Sequence, residues 1–225
     1  MSLNADFTQD VIVRPEDNRW VASPMPGVDR MMLDRIGDEV ARATTIVRYA
    51  PDSHFSPHTH GGGEEFIVLD GVFEDEHGAF PEGAYIRNPP TSRHTPGSKP
   101  GCVIFVKLWQ FQPEDRTHVR VATGKLGSVA DASRPGVAVS PLYRDAHEDV
   151  RIEQWSAGTS AAVMAEGGAE ILLLSGSLRL DGAALSPWTW IRRADGHDIA
   201  LTAGPEGARL WIKTGHLLDV RAPEA

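Results

Sequence analysis

Hydrophobic positions along this chain gather in short runs rich in Val, Ile, Leu and aromatics, and Gly and Pro stand between the runs as punctuation. No long segment keeps the 3.6-residue spacing of an amphipathic helix, whereas short runs bounded by turn residues are the mark of strands. Strands are predicted at residues 42–50 (RATTIVRYA), 65–69 (EFIVL), 102–108 (CVIFVKL), 150–155, 171–174 and 208–213, with Asp-Gly, His-Gly and Pro-Glu-Gly sequences as the turns. The expectation is an all-β sandwich or barrel.

The pattern is written twice. Gly62-Gly63-Glu64-Glu65-Phe66-Ile67-Val68-Leu69-Asp70-Gly71 lies over Gly167-Gly168-Ala169-Glu170-Ile171-Leu172-Leu173-Leu174-Ser175-Gly176 at an offset of 105 residues, and Tyr85-Ile86-Arg87 falls on Trp190-Ile191-Arg192 at the same offset. Gly101 to Lys107 matches Gly207 to Lys213 at 106, and Pro26-Gly27-Val28 matches Pro135-Gly136-Val137 at 109. A drift this small is what loop insertions leave in a duplicated domain. Two similar β-domains are expected, residues 1–115 and 116–225, joined within the polar stretch 113–135.

Composition narrows the function classes. With 22 basic and 31 acidic side chains the formal charge is −9, which repels phosphate backbones and anionic headgroups, so neither nucleic acid nor a membrane surface is expected as a partner. The single cysteine, Cys102, excludes an intrachain disulfide framework and a Cys-rich zinc finger, so any metal chemistry has to rest on His and carboxylates. A reducing cytoplasm is expected, since the start shows no signal-peptide pattern and no apolar run reaches the roughly 20 residues of a membrane span.

His58 and His60 are two apart, so on a strand both imidazoles leave the same face. Glu64 follows across Gly61-Gly62-Gly63, which can fold the chain back, and His94 arrives after Asn88-Pro89-Pro90-Thr91. Three imidazoles and a carboxylate suit Zn²⁺, Fe²⁺, Mn²⁺ or Ni²⁺. Glu65 competes with Glu64, because neighbours on a strand face opposite ways. His54 and His77 read as solvated loop residues. The glycine run is no phosphate cradle, since no Gly-Lys-Ser/Thr follows it and two carboxylates do. Tyr85, Arg87, Lys107 and Cys102 are candidates for lining the pocket, each with a purely structural role as the competing reading.

His58-x-His60-x₃-Glu64-x₆-Gly71, followed by Gly83-x₅-Pro89-x-Thr91-x-x-His94, resembles the two motifs of the cupin superfamily, with Asp52 and Thr91 standing where those motifs usually carry Gly. The segment from Phe55 through Trp109 is similar, more specifically, to the cupin domain of the ChrR-type anti-sigma factors, which contain zinc. The resemblance implies two tandem cupin domains of jelly-roll or barrel form, with one divalent metal, zinc before iron, manganese or nickel, on His58, His60, Glu64 and His94. The Glu-x₆-Gly count favours Glu64 over Glu65. Carried over by 105 residues, the same positions are Val163, Ala165, Ala169 and approximately Ile199, so the second domain is expected to be a cupin without a metal.

Two function classes follow. One is a sensor of a small molecule or redox state that signals to a regulatory protein, as the ChrR resemblance implies. Those anti-sigma factors carry ahead of the cupin a helical sigma-binding domain with its own His/Cys zinc site, and the resemblance here covers only the sensing half. The other is a metal-dependent dioxygenase acting on a small carbonyl or aromatic compound, with Arg87 or Lys107 balancing an anionic group. A metal-stabilised structural protein is a third reading. A homodimer is expected because exposed edge strands of such sandwiches are commonly paired.

Overall fold

The computed structural model describes residues 1–223, an all-β chain of antiparallel strands with two short 3₁₀ turns. No helix among these residues is long and apolar enough to cross a membrane. The chain divides into two units, one of residues 1–5, 19–125 and 221–223 and the other of residues 6–18 and 126–220.

In the first unit the main sheet runs Ser2–Leu3, Val28–Gly37, Ala41–Tyr49, Cys102–Leu108, Glu64–Asp75, Ala84–Asn88, Val119–Ala122. The far half of Glu64–Asp75 leaves this sheet and pairs instead with Gly78–Pro81 and Gly97–Ser98, which builds the second layer of the roll. Asp70-Gly71, expected as a turn, is the point of departure within one continuous strand. Val103 faces Asp70 while Ile104 faces Val68, so Leu69 is an extra residue, a β-bulge that bends the strand. Gly71 has φ +72°, and a Cβ on it would lie 2.1 Å from the Gly101 carbonyl oxygen. Asp181-Gly182, by contrast, is a true hairpin turn, both residues having positive φ. Phe66, Val68, Phe73, Ile86, Ile104 and Val106 fill the interior.

The second unit repeats the order with Val129–Ala130, Val137–Arg144, Asp149–Trp155, Ile199–Thr214, Ala169–Leu180, Trp190–Arg193 and Val11–Val13. Its boundaries differ from the division at 115/116. The stretch expected to be a polar linker contains the strand Val119–Ala122, which pairs with Ala84–Arg87 of the first unit. The segment of residues 6–18 belongs to the second unit, where Val11–Val13 pairs antiparallel with residues 190–192, Val11 opposite Arg192 and Val13 opposite Trp190. Val11 and Val119 are 108 residues apart, in step with the repeat. Each closing strand thus lies just ahead of one copy of the repeat in sequence and completes the sheet of the other copy.

Candidate metal centre

The strand pair His58–Thr59 and Arg93–His94 sets His94 directly opposite His58. Directly opposed residues of an antiparallel pair have adjacent side chains, and the two rings lie 4.9 Å apart between centroids. Strand alternation brings His60 to the same side, 4.8 Å from His58 and 4.7 Å from His94. Glu64 opens the long strand and reaches back, its Oε2 lying 3.5 Å from His60 Nε2 and 3.6 Å from His94 Nε2. One donor atom from each of the four residues falls within 4.8 Å of the others. Glu65 faces the other way and accepts a 2.6 Å hydrogen bond from the Tyr85 hydroxyl, so it is Glu64 that joins the histidines. His54 and His77 are exposed. The intervening glycines make room for aromatic rings: a Cβ on Gly62 would lie 2.2 Å from the Trp109 ring, and one on Gly63 2.4 Å from that of Phe111.

The donor set fits a metal ion. His60 Nε2 and His94 Nε2 are buried without a hydrogen-bond partner, a state that costs roughly 1–3 kcal/mol per group unless something accepts the lone pair. Bonds of about 2.1 Å to a tetrahedral ion place neighbouring donors about 3.4 Å apart; Glu64 Oε2 stands 3.5 and 3.6 Å from the His60 and His94 donors, and the whole set lies within 4.8 Å. The other ring nitrogens are held from behind. His94 Nδ1 lies 3.4 Å from Asp75 Oδ2 and His58 Nδ1 3.4 Å from the Ser56 carbonyl oxygen, and an Nδ1–H directed at these acceptors leaves Nε2 as the donor to a metal. Asn88 Nδ2 donates to Glu64 Oε2 at 3.2 Å and orients the carboxylate. Burial lowers the pKa of His60, with Glu64 opposing and the His94 and His58 imidazoles adding to the fall. For His94 burial acts in the same direction, but the Asp75 hydrogen bond and the Glu64 carboxylate outweigh it and the net shift is upward.

All four residues line a cavity of ≈ 700 Å³, and His58 is exposed while the other three are buried. Its apolar walls include Val47, Ile104, Val106, Leu108 and Trp109, and Arg30, Arg35, Thr45 and Tyr49 add polar groups. Tyr49 is kept protonated by burial and by the nearby Glu64 carboxylate, which raise its pKa far above the ordinary phenol value.

The four residues expected to line the pocket do not line this cavity. Ala84, Ile86 and Asn88 face the cavity side, so by alternation Tyr85 and Arg87 lie on the opposite face of the sheet, where both are buried. There Arg87 lies 3.7 Å from Glu65, donates to Asp115 at 2.8 Å and stacks 4.2 Å over Phe111. Lys107 lies between the inward Val106 and Leu108 and donates to the Thr44 hydroxyl at 3.0 Å. Cys102 does face inward but sits in the apolar core, where burial pushes its pKa up to about 11. Asp75, Asn88, Trp109, Arg30, Arg35 and Tyr49 are the residues of the site that sequence reasoning missed.

In the second unit Val163 pairs with Ile199, as His58 pairs with His94. Val163, Ala165, Ala169 and Ile199 are buried in the apolar core, so the metal positions are packed with hydrocarbon. Nearby, Glu153 is buried and paired with Arg134 at 2.9 Å and Arg151 at 2.8 Å, and it accepts from Trp155 Nε1 at 2.8 Å.

Comparison with known proteins agrees with this fold. The family model of the ChrR cupin-like domain matches residues 8–112. A candidate dioxygenase from Nostoc punctiforme superposes with a TM-score of 0.72 at 10% identity, over 97% of this chain and 87% of that one. HEPD from Streptomyces albus, solved with 2-hydroxyethylphosphonate and Fe(II), gives 0.65 at 8% identity over 96% and 78%. The bacterial pirin YhhW from Escherichia coli, solved with nickel(II), gives 0.63 at 13% over 92% and 99%. No curated protein matches the chain in sequence.

Proposed function

From a chain of cupin fold whose residues 8–112 match the ChrR cupin-like family model, we propose a metal-dependent protein that acts on a small oxygen-donor molecule, in the manner of a dioxygenase. His58, His60, Glu64 and His94 hold the ion. The observation that supports this reading is the cavity: the four donors lie in its wall rather than in a closed core, so a molecule filling it touches the metal set. A bound Fe²⁺ would supply Lewis-acid and oxygen-activating chemistry there.

The chain's own residues bind, orient and exclude water. Val47, Ile104, Val106 and Trp109 hold the body of a small carbonyl or aromatic compound against apolar walls. Tyr49, whose burial favours the neutral phenol, donates a hydrogen bond to an oxygen of the bound molecule. Asp75 and Asn88 keep His94 and Glu64 in place. Both atoms of O₂ enter the substrate in a dioxygenation, so no external reductant is needed.

The family match favours a second reading, in which the same site holds zinc and its occupancy is signalled to a regulatory protein. Elemental analysis of protein made without added metal, followed by oxygen uptake of the iron form across diketones and hydroxyacetophenones, separates the two. One iron per chain with substrate-dependent uptake supports the dioxygenase. Stoichiometric zinc and no uptake with the iron form refutes it. Unchanged metal content in His58→Ala or His94→Ala refutes the ligand set itself.

A further inference from the structure

Arg30 and Arg35 are five residues apart, a spacing that puts side chains on opposite faces of a regular strand. Both nevertheless line the metal cavity. The cause is a bulge at Leu33: Met32 pairs with Thr45 but Asp34 with Thr44, and the extra residue restores Arg35 to the inward face. The two guanidinium groups lie close enough to repel, and Arg35, buried and beside Arg30, has its pKa lowered for those two reasons in that order. Arg35 is tied to the chain, donating to the carbonyl oxygens of Gly37 at 3.2 Å and Glu39 at 3.4 Å and also to that of Asp38. Arg30 makes no hydrogen bond or ion pair among the described residues. The acidic residues lining the cavity are Glu64, a member of the metal set, and the exposed Glu39. A cationic wall thus faces an apolar cavity, with one guanidinium uncommitted.

We infer that the molecule this cavity accepts is a carboxylate: its oxygen-donor end lies at His58, His60, Glu64 and His94, its body along Val47 and Val106, and its carboxylate on Arg30. This rests on the metal-centre reading above and adds the charge of the ligand to it. An arginine–carboxylate contact in a partly desolvated site discriminates against a neutral analogue by about tenfold or more.

The test uses the full chain and a matched pair of probes, 4,6-dioxoheptanoate and its methyl ester, titrated calorimetrically against metal-loaded and metal-free protein. The acid is expected to bind at least about tenfold more tightly than the ester. That ratio falls toward one in Arg30→Met and is partly kept in Arg30→Lys, with metal content and melting temperature unchanged. In the parent protein the preference shrinks as salt is raised about tenfold, since screening weakens an ion pair, which tests the contact without any variant. Equal affinity for acid and ester, or a ratio that Arg30→Met does not move, overturns the inference. Metal-free protein that keeps the Arg30-dependent ratio supports it while the metal content counts against the metal-centre reading. A metal-bearing protein with no preference sinks the inference alone.

Discussion

Replacing Asp75 by Asn tests whether the ligand set works as a metal centre or is only a cluster of buried histidines. The carboxylate lies 3.4 Å from His94 Nδ1, and both side chains are 2% exposed, so water does not substitute for it. The Asn side chain keeps the shape but removes the negative charge that makes the imidazole a better donor, and with its one oxygen held by the His77 N–H it turns an NH₂ toward His94 Nδ1. Loss of such an outer carboxylate costs about 10–100-fold in metal affinity, or about 1.4–2.7 kcal/mol. Asp75 also accepts from the His77 backbone N–H at 2.7 Å, a bond Asn retains, so the hairpin should stay folded. The assay is zinc competition against a chromogenic chelator, with circular dichroism as the control for folding. An affinity within twofold of the parent in a folded variant would refute the account of His94 as a donor set from behind by Asp75.

Three further outcomes follow from the packing. Gly62→Ala puts a methyl group 2.2 Å from the Trp109 ring, so it should lower stability by about 1–3 kcal/mol and shift tryptophan emission; an unchanged melting curve and spectrum would contradict that close approach. Glu153 has its pKa lowered in the fold: burial alone would raise it, but hydrogen bonding to Arg134 and the charge of Arg151 outweigh this. Its stabilisation is therefore complete above the unfolded carboxylate value of about 4.3 and drains away as pH falls through the lower folded value. Glu153→Gln should lower stability near neutrality by about 3–5 kcal/mol and flatten this acid-side slope, and melting series below pH 6 that run parallel for both proteins would rule the assignment out. Removing residues 1–18 takes away the strand Val11–Val13 and the Phe7 ring stacked 4.1 Å over buried Arg192; faster limited proteolysis within residues 126–220 is expected, and equal protection would argue against a closing role for that segment.

Much of this was legible in the amino-acid sequence. Short β-rich runs and the 105-residue repeat carried the all-β fold and its duplication, because strand patterns and turn glycines are local signals. His58, His60, Glu64 and His94 were legible because alternation and the motif spacing act within a few residues. What failed depended on register or on parity. Asn88 meets Glu64, and Asp75 meets His94, across strands that no local spacing relates. Arg30 and Arg35 share a face only through a bulge at Leu33, which has no glycine to betray it. Tyr85, Arg87 and Lys107 were misplaced for a reason open to inspection: Ile86 and Val106 are core residues, so their immediate neighbours have to point the other way. The strand Val119–Ala122 hid in a stretch of alternating polar and apolar residues, VRVA, that is too short to stand out from a linker.

The exchanged closing strands make the span of the family match and the folding boundary two different things. Cut out at residues 8–112, the segment that the family model matches would carry Val11–Val13, whose hydrogen-bonding partner lies at Trp190–Arg193, and would lack Val119–Ala122, the strand that covers Ala84–Arg87. It would then expose one unpaired sheet edge and trail one strand with nothing to pair to, a combination that invites self-association. A chain wired in this way cannot be cut cleanly before residue 126, because residues 11–13 take their partner strand from Trp190–Arg193.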